Sequence, residues 1–271
     1  MIEITGLDFS YADNKLFSGL NLTMSSGNIY GLLGKNGAGK TTLLKIVSGL
    51  IFPQKGMCEV MGFQPQRRFP QFLTEIYFVC EEFYLPPINA EEYVRLYSPF
   101  YERFDKNAFN DLLTEFEVEA DKQLINLSYG QKKKFLIAFG LATDCRLLIL
   151  DEPTNGLDIP SKSQFRKLLA ASLTEEKTFI ISTHQVRDME NFIDPIVILN
   201  DGKIIFDHFL DDASKNLFFK YRQKTLDPDV LYHEKGLGGY TTIEKNKTGE
   251  DSMIDMEVLF NFVISRKSFF K

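Results

Sequence analysis

Residues 34–41, Gly-Lys-Asn-Gly-Ala-Gly-Lys-Thr, fit the spacing GxxxxGK[ST]. They fall between an apolar run, NIYGLL (28–33), and a helix-forming segment, TTLLKIVSGL (41–50). A loop that glycines allow to turn inward points successive backbone N–H groups at one spot, and the helix behind it adds its positive N-terminal end. That arrangement cradles a dense anion such as the β- and γ-phosphates of ATP. Asn36, Gly37, Ala38, Gly39 and Thr42 belong to the cradle, Lys40 carries a cation to the β/γ oxygens, and the Thr41 hydroxyl is placed to bind Mg²⁺. A second carboxylate site follows LLIL (147–150), where Asp151 and Glu152 stand side by side. An Asp that ends a strand of a parallel sheet lies at the sheet's carboxyl edge, next to such a loop. There Asp151 can hold Mg²⁺ through water, and Glu152 can polarise an attacking water, a role worth roughly 10²–10⁴ in rate.

These residues need a scaffold, and the hydrophobic pattern supplies one. Ile2, Ile4 and Leu7, then Leu20, Leu22 and Met24, alternate as short strands of a half-exposed antiparallel sheet. The stretch FPQKGMCEVMGF reads as turns with a further short strand, and Gly49 as the stop of the helix after the cradle. Residues 88–140 read as a mostly helical block, with Asn89 capping AEEYVRLY and Asp105 capping KNAFNDLLTEFEV. LLIL, TFII (178–181), IVIL (196–199) and KIIF (203–206) follow. The gaps between the first three are long enough for crossover helices, hence a parallel sheet covered on both faces. The run Lys132–Lys134 reads as a solvated helix face. Beyond Asp207, Lys235–Asp255 reads as a hairpin turning at GLGG and closed by a helix over 256–264. Its composition fits a packing extension, with dimerisation or regulation as the alternative role.

Taken together, these segments resemble the ATP-binding subunit of ABC transporters, over roughly residues 1–206. LSYGQ (Leu127–Gln131) is similar to the family's LSGGQ signature, LLILDEPTNGLD (147–158) to its Walker B segment and D-loop, and ISTHQ (181–185) to the stretch bearing its switch histidine, His184. The resemblance implies a P-loop NTPase (RecA-like) α/β fold: a parallel core, an antiparallel β subdomain, a helical subdomain inserted at about 83–140, and a small C-terminal extension over 207–271. It implies hydrolysis of ATP with Mg²⁺, coupled to transport by a separate membrane-spanning permease. Tyr11 would then stack on adenine. Ser128, Gly130 and Gln131 would meet the γ-phosphate held by a second subunit, in a homodimer or a heterodimer closed by ATP. Lys40, Glu152 and His184 would carry catalysis, on the cytoplasmic face of the cell membrane. Within the family, the segment 100–118 and the short extension resemble exporter or antibiotic-resistance subunits.

Two positions depart from that pattern. Glu81, in FVCEEF, stands where the family usually has a metal-ligating glutamine; a carboxylate can still ligate Mg²⁺ but adds a negative charge near the γ-phosphate. Tyr129 replaces the first glycine of the signature, while Gly130 is kept.

Composition closes other doors. The chain has 271 residues, 31 Lys and Arg against 37 Asp and Glu, and a formal charge of −6, which opposes free nucleic acid as the main ligand. Its longest apolar run, Phe135–Ala142, is far short of the about 20 residues that span a bilayer. No secretory signal opens the sequence, and Cys58, Cys80 and Cys145 lack metal-ligand spacing, as in a reduced compartment. The rival reading is a soluble ABC-type ATPase acting on the ribosome or on nucleic acid. Against it stand a single ATPase domain, a short stretch between cradle and signature, and the absence of zinc-ligand cysteine pairs. A regulator that only binds ATP is opposed by the intact Glu152 and His184.

Overall fold

The computed structural model describes residues 1–189 and 192–266; the last residues of the expected extension, 267–271, lie outside the described residues. Three sheets organise the chain. The first is antiparallel, in the order β2–β1–β4, from β1 (Ile2–Tyr11), β2 (Asn14–Met24) and β4 (Lys55–Val60). The second is the core, in the order β5–β6–β7–β3–β8–β9. It comprises β3 (Asn28–Leu33), β5 (Ile76–Val79), β6 (Leu147–Asp151), β7 (Thr178–Thr183), β8 (Ile196–Asn200) and β9 (Lys203–His208). All neighbours in it are parallel except β8 and β9, which form a hairpin through Asp201 and Gly202. Both turn residues have positive φ, the twist that joins two adjacent antiparallel strands.

Strands β6, β7 and β8 are buried at every position, and β3 at all but its first, as a parallel sheet covered on both faces requires. Alternate side chains go to opposite layers. Ile29, Leu33, Leu148, Leu150, Phe179 and Ile181 join one apolar cluster with the helical block. Tyr30, Leu32, Leu147, Ile149, Ile180 and Val197 join another with the antiparallel sheet and α1 (Lys40–Val47). The helical block holds α3 (Ala90–Tyr97), α4 (Lys106–Glu115) and α5 (Tyr129–Ala142), following the short α2 (Pro70–Leu73). Both expected caps are present. Asn89 Oδ1 accepts from the Glu92 N–H at 2.9 Å, while Glu92 Oε2 accepts from the Asn89 N–H at 3.1 Å. Asp105 Oδ1 accepts from the N–H groups of Asn107 and Ala108.

The crossover from β6 to β7 carries α6 (Ile159–Ser172), as expected. The crossover from β7 to β8 differs from expectation: its described residues hold only a 3₁₀ turn, Val186–Met189. Val186, Met189 and Ile193 are all buried, so the segment packs against the sheet without a full helix. After α7 (Leu210–Asn216), the chain adds β10 (Leu217–Gln223), β11 (Tyr232–Gly236) and β12 (Gly239–Lys245), an antiparallel sheet in the order β10–β12–β11, then α8 (Met256–Ser265). The hairpin and closing helix match the sequence reading; β10 was not anticipated. Leu259 and Phe262 of α8 are buried in the same cluster as Val186, Met189 and Phe206.

Candidate active site

The loop after β3 runs from the middle of the core sheet into α1, so the cradle opens at the carboxyl edge of the strands. Gly39 precedes α1 with φ +107°, and a Cβ there would stand 2.8 Å from the Phe17 ring. Only glycine fits that close approach. Lys40 is buried, and its Nζ donates to the carbonyls of Gly34 at 2.8 Å and Lys35 at 3.4 Å. Its ammonium lies 3.7 Å from Glu152 Oε1. Burial lowers its pKa below the usual lysine value, against the opposing pull of Glu152, Asp151 and Glu81.

Asp151 ends β6 with no exposed surface. Its Oδ2 accepts from the Thr41 hydroxyl at 2.7 Å, and its Oδ1 accepts from the Ser182 hydroxyl. Glu152 comes next, buried and with φ +48°. Its Oε1 shares a hydrogen bond with His184 Nδ1 at 2.8 Å, and its Oε2 is buried without a hydrogen-bonding partner. Glu152 and His184 line a cleft of about 450 Å³ with Tyr11, Asn14, Leu16, Asn36, Gly37, Gly39, Lys40, Thr41, Thr42 and Glu81; Asp151 lies behind it, against Thr41. Tyr11 forms part of its wall, half-exposed, edge-on to Phe9, with its hydroxyl 3.3 Å from that of Thr42. Hard oxygen donors, the Thr41 hydroxyl and the carboxylates of Asp151 and Glu81, are the chemistry that suits Mg²⁺. The orphaned Oε2 adds a buried acceptor with nothing yet to bind.

The signature residues lie elsewhere. Ser128, Gly130 and Gln131 are not among the residues lining the cleft. Ser128 caps α5, its Oγ accepting from the Gln131 N–H at 3.2 Å, while Gln131 Oε1 accepts from the Ser128 N–H. Gly130 presses on the turn after β6, where a Cβ would stand 2.7 Å from the Gly156 carbonyl. Tyr129 is well accommodated: its ring stacks on Phe83 and its hydroxyl donates to the Glu81 carbonyl at 3.0 Å.

The expected solvated face at Lys132–Lys134 needs correcting. Lys133 is completely buried, and its Nζ donates to the Glu152 carbonyl at 2.7 Å. Lys134 reaches back to the Phe116 carbonyl. Asn155 was also not foreseen; it donates to Glu81 Oε1 at 3.2 Å and accepts from Gln185 Nε2 at 3.2 Å. Its place inside the DEPTN segment was the available signal.

This geometry can be set beside known proteins. The family model for the ABC transporter matches residues 17–155. The chain belongs to the ABC transporter ATPase family. The bacitracin transport ATP-binding protein BcrA of Bacillus licheniformis is 34% identical over 230 residues, covering 81% of this chain and 74% of that protein. A solved ATP-binding subunit of an ABC transporter superposes with TM-score 0.72 at 25% identity, over 78% of this chain and 91% of the other. The ATP-binding cassette MJ0796, solved as a dimer with ADP and Pi, gives TM-score 0.68 at 25% identity, over 78% and 99%. This ABC ATPase is therefore an ATP-binding, ATP-hydrolysing subunit of a transporter, built on the P-loop α/β fold read from its sequence. Among the described residues no helix is long and apolar enough to cross a membrane.

Proposed function

We propose that the cleft of this ABC ATPase binds MgATP and hydrolyses it only after a second ATPase subunit, identical or related, has closed over it head to tail. One observation carries this reading. The cleft gathers Lys40, Thr41, Glu152 and His184 in one chain, with Asp151 buried directly behind Thr41, while the anion-binding start of α5 lies outside it. Ser128, Gly130 and Gln131 are thus available to the nucleotide of the opposite subunit, where a helix N-terminus favours a γ-phosphate.

Within the cleft, Tyr11 offers its ring to adenine, and the loop amides from Asn36 to Thr42 bind the phosphates. Lys40 exchanges its carbonyl contacts for the β/γ oxygens, which compensates its burial. Thr41, Asp151 and Glu81 would hold Mg²⁺, which would neutralise phosphate charge. Glu152 takes the proton of the attacking water, and His184 fixes that carboxylate and reads the γ-phosphate. Phosphoryl transfer needs little covalent help, so positioning and charge neutralisation carry the rate.

A membrane-spanning permease fits an apolar groove of about 470 Å³ beside the helical block. Leu50, Tyr97 and Phe100 are exposed along it, and the half-buried Cys80, next to Glu81, forms part of its wall. ATP-driven closure would move this groove and so drive the partner, with the chain held peripherally at the cytoplasmic face of the membrane.

The test is phosphate release by the purified chain, alone and with its co-purified membrane protein, in the presence of Mg²⁺. Release that requires metal and quickens on complex formation is expected. Absence of release from both preparations would refute the reading.

A further inference from the structure

His184 follows directly on β7, and behind it the chain forms only the 3₁₀ turn Val186–Met189. So short a turn has few hydrogen bonds of its own, and its neighbours decide where it sits. Its apolar side, Val186 and Met189, is buried in the cluster that contains Leu259 and Phe262 of α8. Its polar side rests on α6. The Lys162 ammonium meets Asp188 Oδ2 at 2.6 Å, each side chain about one-fifth exposed. One turn along the same helix face, Arg166 Nη1 donates to the Asp188 carbonyl at 2.8 Å. Ahead of the turn, Gln185 Nε2 donates to Asn155 Oδ1 at 3.2 Å, shortly before α6 begins. Beyond it, the Phe192 ring lies 6.3 Å from that of Phe165 in α6.

An ion pair at this exposure adds little to global stability. Its consequence lies in position. His184 Nδ1 shares a hydrogen bond with Glu152 Oε1 at 2.8 Å, a contact that a small slide of the turn would stretch. Misplacing a reacting group by about 1 Å can cost roughly 100-fold in rate. Neither Lys162 nor Asp188 lines the cleft, so both bear on the chemistry through His184. The helix they use is firmly started, since Asp158 Oδ1 accepts from the Ser161 N–H at 3.0 Å. Because α6 also follows the turn that carries Glu152, one helix fixes both partners of the His184–Glu152 contact.

We propose that Lys162 is a positioning residue: its ion pair with Asp188, beside the Arg166 bond to the Asp188 carbonyl, braces the His184 segment on α6 and keeps the imidazole on Glu152. The role of His184 rests on the reading of the cleft as an ATP site, but the brace is measurable without nucleotide.

The experiment compares the full native chain with Lys162→Met, Asp188→Asn, their double variant and Lys162→Arg. Without nucleotide, NMR of the imidazole groups reads His184 beside His208 and His233, the chain's other two histidines. In Lys162→Met the His184 signal should move by more than its linewidth while the other two hold, and Lys162→Arg should return it toward the native position. An unmoved His184 signal overturns the brace, whether or not the chain hydrolyses ATP. With MgATP and the co-purified membrane protein, kcat should fall about tenfold in Lys162→Met and in Asp188→Asn, with KM within about twofold. The double variant should match the slower single variant to within about twofold, because one pair is lost only once. Losses that multiply to about 100-fold, or a kcat unaltered in both single variants, overturn the brace while the ATPase reading stands. A native chain that releases no phosphate even with its partner refutes the ATPase reading, and the imidazole signal alone then decides the brace.

Discussion

Glu152 occupies the left-handed backbone region, which costs a residue with a Cβ about 1 kcal/mol or more. The surroundings impose it: its N–H donates to the Ser182 carbonyl at 3.1 Å, and its own carbonyl accepts from Lys133. This constraint aims the carboxylate into the cleft, against Lys40 and His184. The near-isosteric Glu152→Gln should therefore keep its fold and its ATP binding. Its turnover should fall at least about 100-fold, as a lost general base requires. Equilibrium nucleotide binding and phosphate release on the same preparation check this, and retained turnover would remove Glu152 as the base. The meeting of Lys40, Thr41, Asp151, Glu152 and His184 was legible because each sits next to an apolar run that fixes where its strand or helix ends. Lys133 was misread because a charge run says nothing about which side of a helix faces inward. Its spacing to Ile137 and Gly140, one and two turns on and both buried, carried the missing signal.

Helix α5 begins where three segments meet: the signature, the turn after β6 and the stretch at Glu81. Gly156, with φ +81°, lets that turn pass beneath Tyr129, whose ring would stand 2.6 Å from an added Cβ. Gly156→Ala should cost about 2 kcal/mol, from backbone strain and from displacing the ring, and lower the Tm by roughly 4–8 °C. Gly62 has the same φ with no atom within 4 Å of an added Cβ, so Gly62→Ala should show the backbone part alone, about half as much. Calorimetry of both variants separates the two contributions; equal losses would mean that the contact with Tyr129 is soft. At this scale, caps were readable from Asn89 and Asp105, since a cap is a local hydrogen bond between near neighbours in sequence. The 3₁₀ turn after β7 was not, because its buried Val186 and Met189 find their partners far along the chain, around α8.

Across the whole molecule, the apolar layer on the helical side of the sheet continues without a break into α8. Phe262 is fully buried there with Val186, Met189 and Phe206, so the C-terminal helix is packed on the segment that follows His184. Arg187 adds an ion pair to Glu257 at the rim, worth little at such exposure. Phe262→Ala should cost about 3–5 kcal/mol and lower a single unfolding transition by roughly 6–20 °C. A separate early transition in a thermal scan would mean that the C-terminal elements unfold on their own. Motif spacing and strand periodicity alone located the glycine loop, the acid pair and the covered parallel sheet, because those depend on residues close together along the chain. Long-range packing decided the rest: Lys133 sealed behind Glu152, Tyr129 bridging to Glu81, β10 joining the hairpin, and α8 closing over the segment after His184. Such contacts are chosen by which buried surfaces and counter-charges meet in space, and that choice depends on the assembled chain rather than on any one stretch of it.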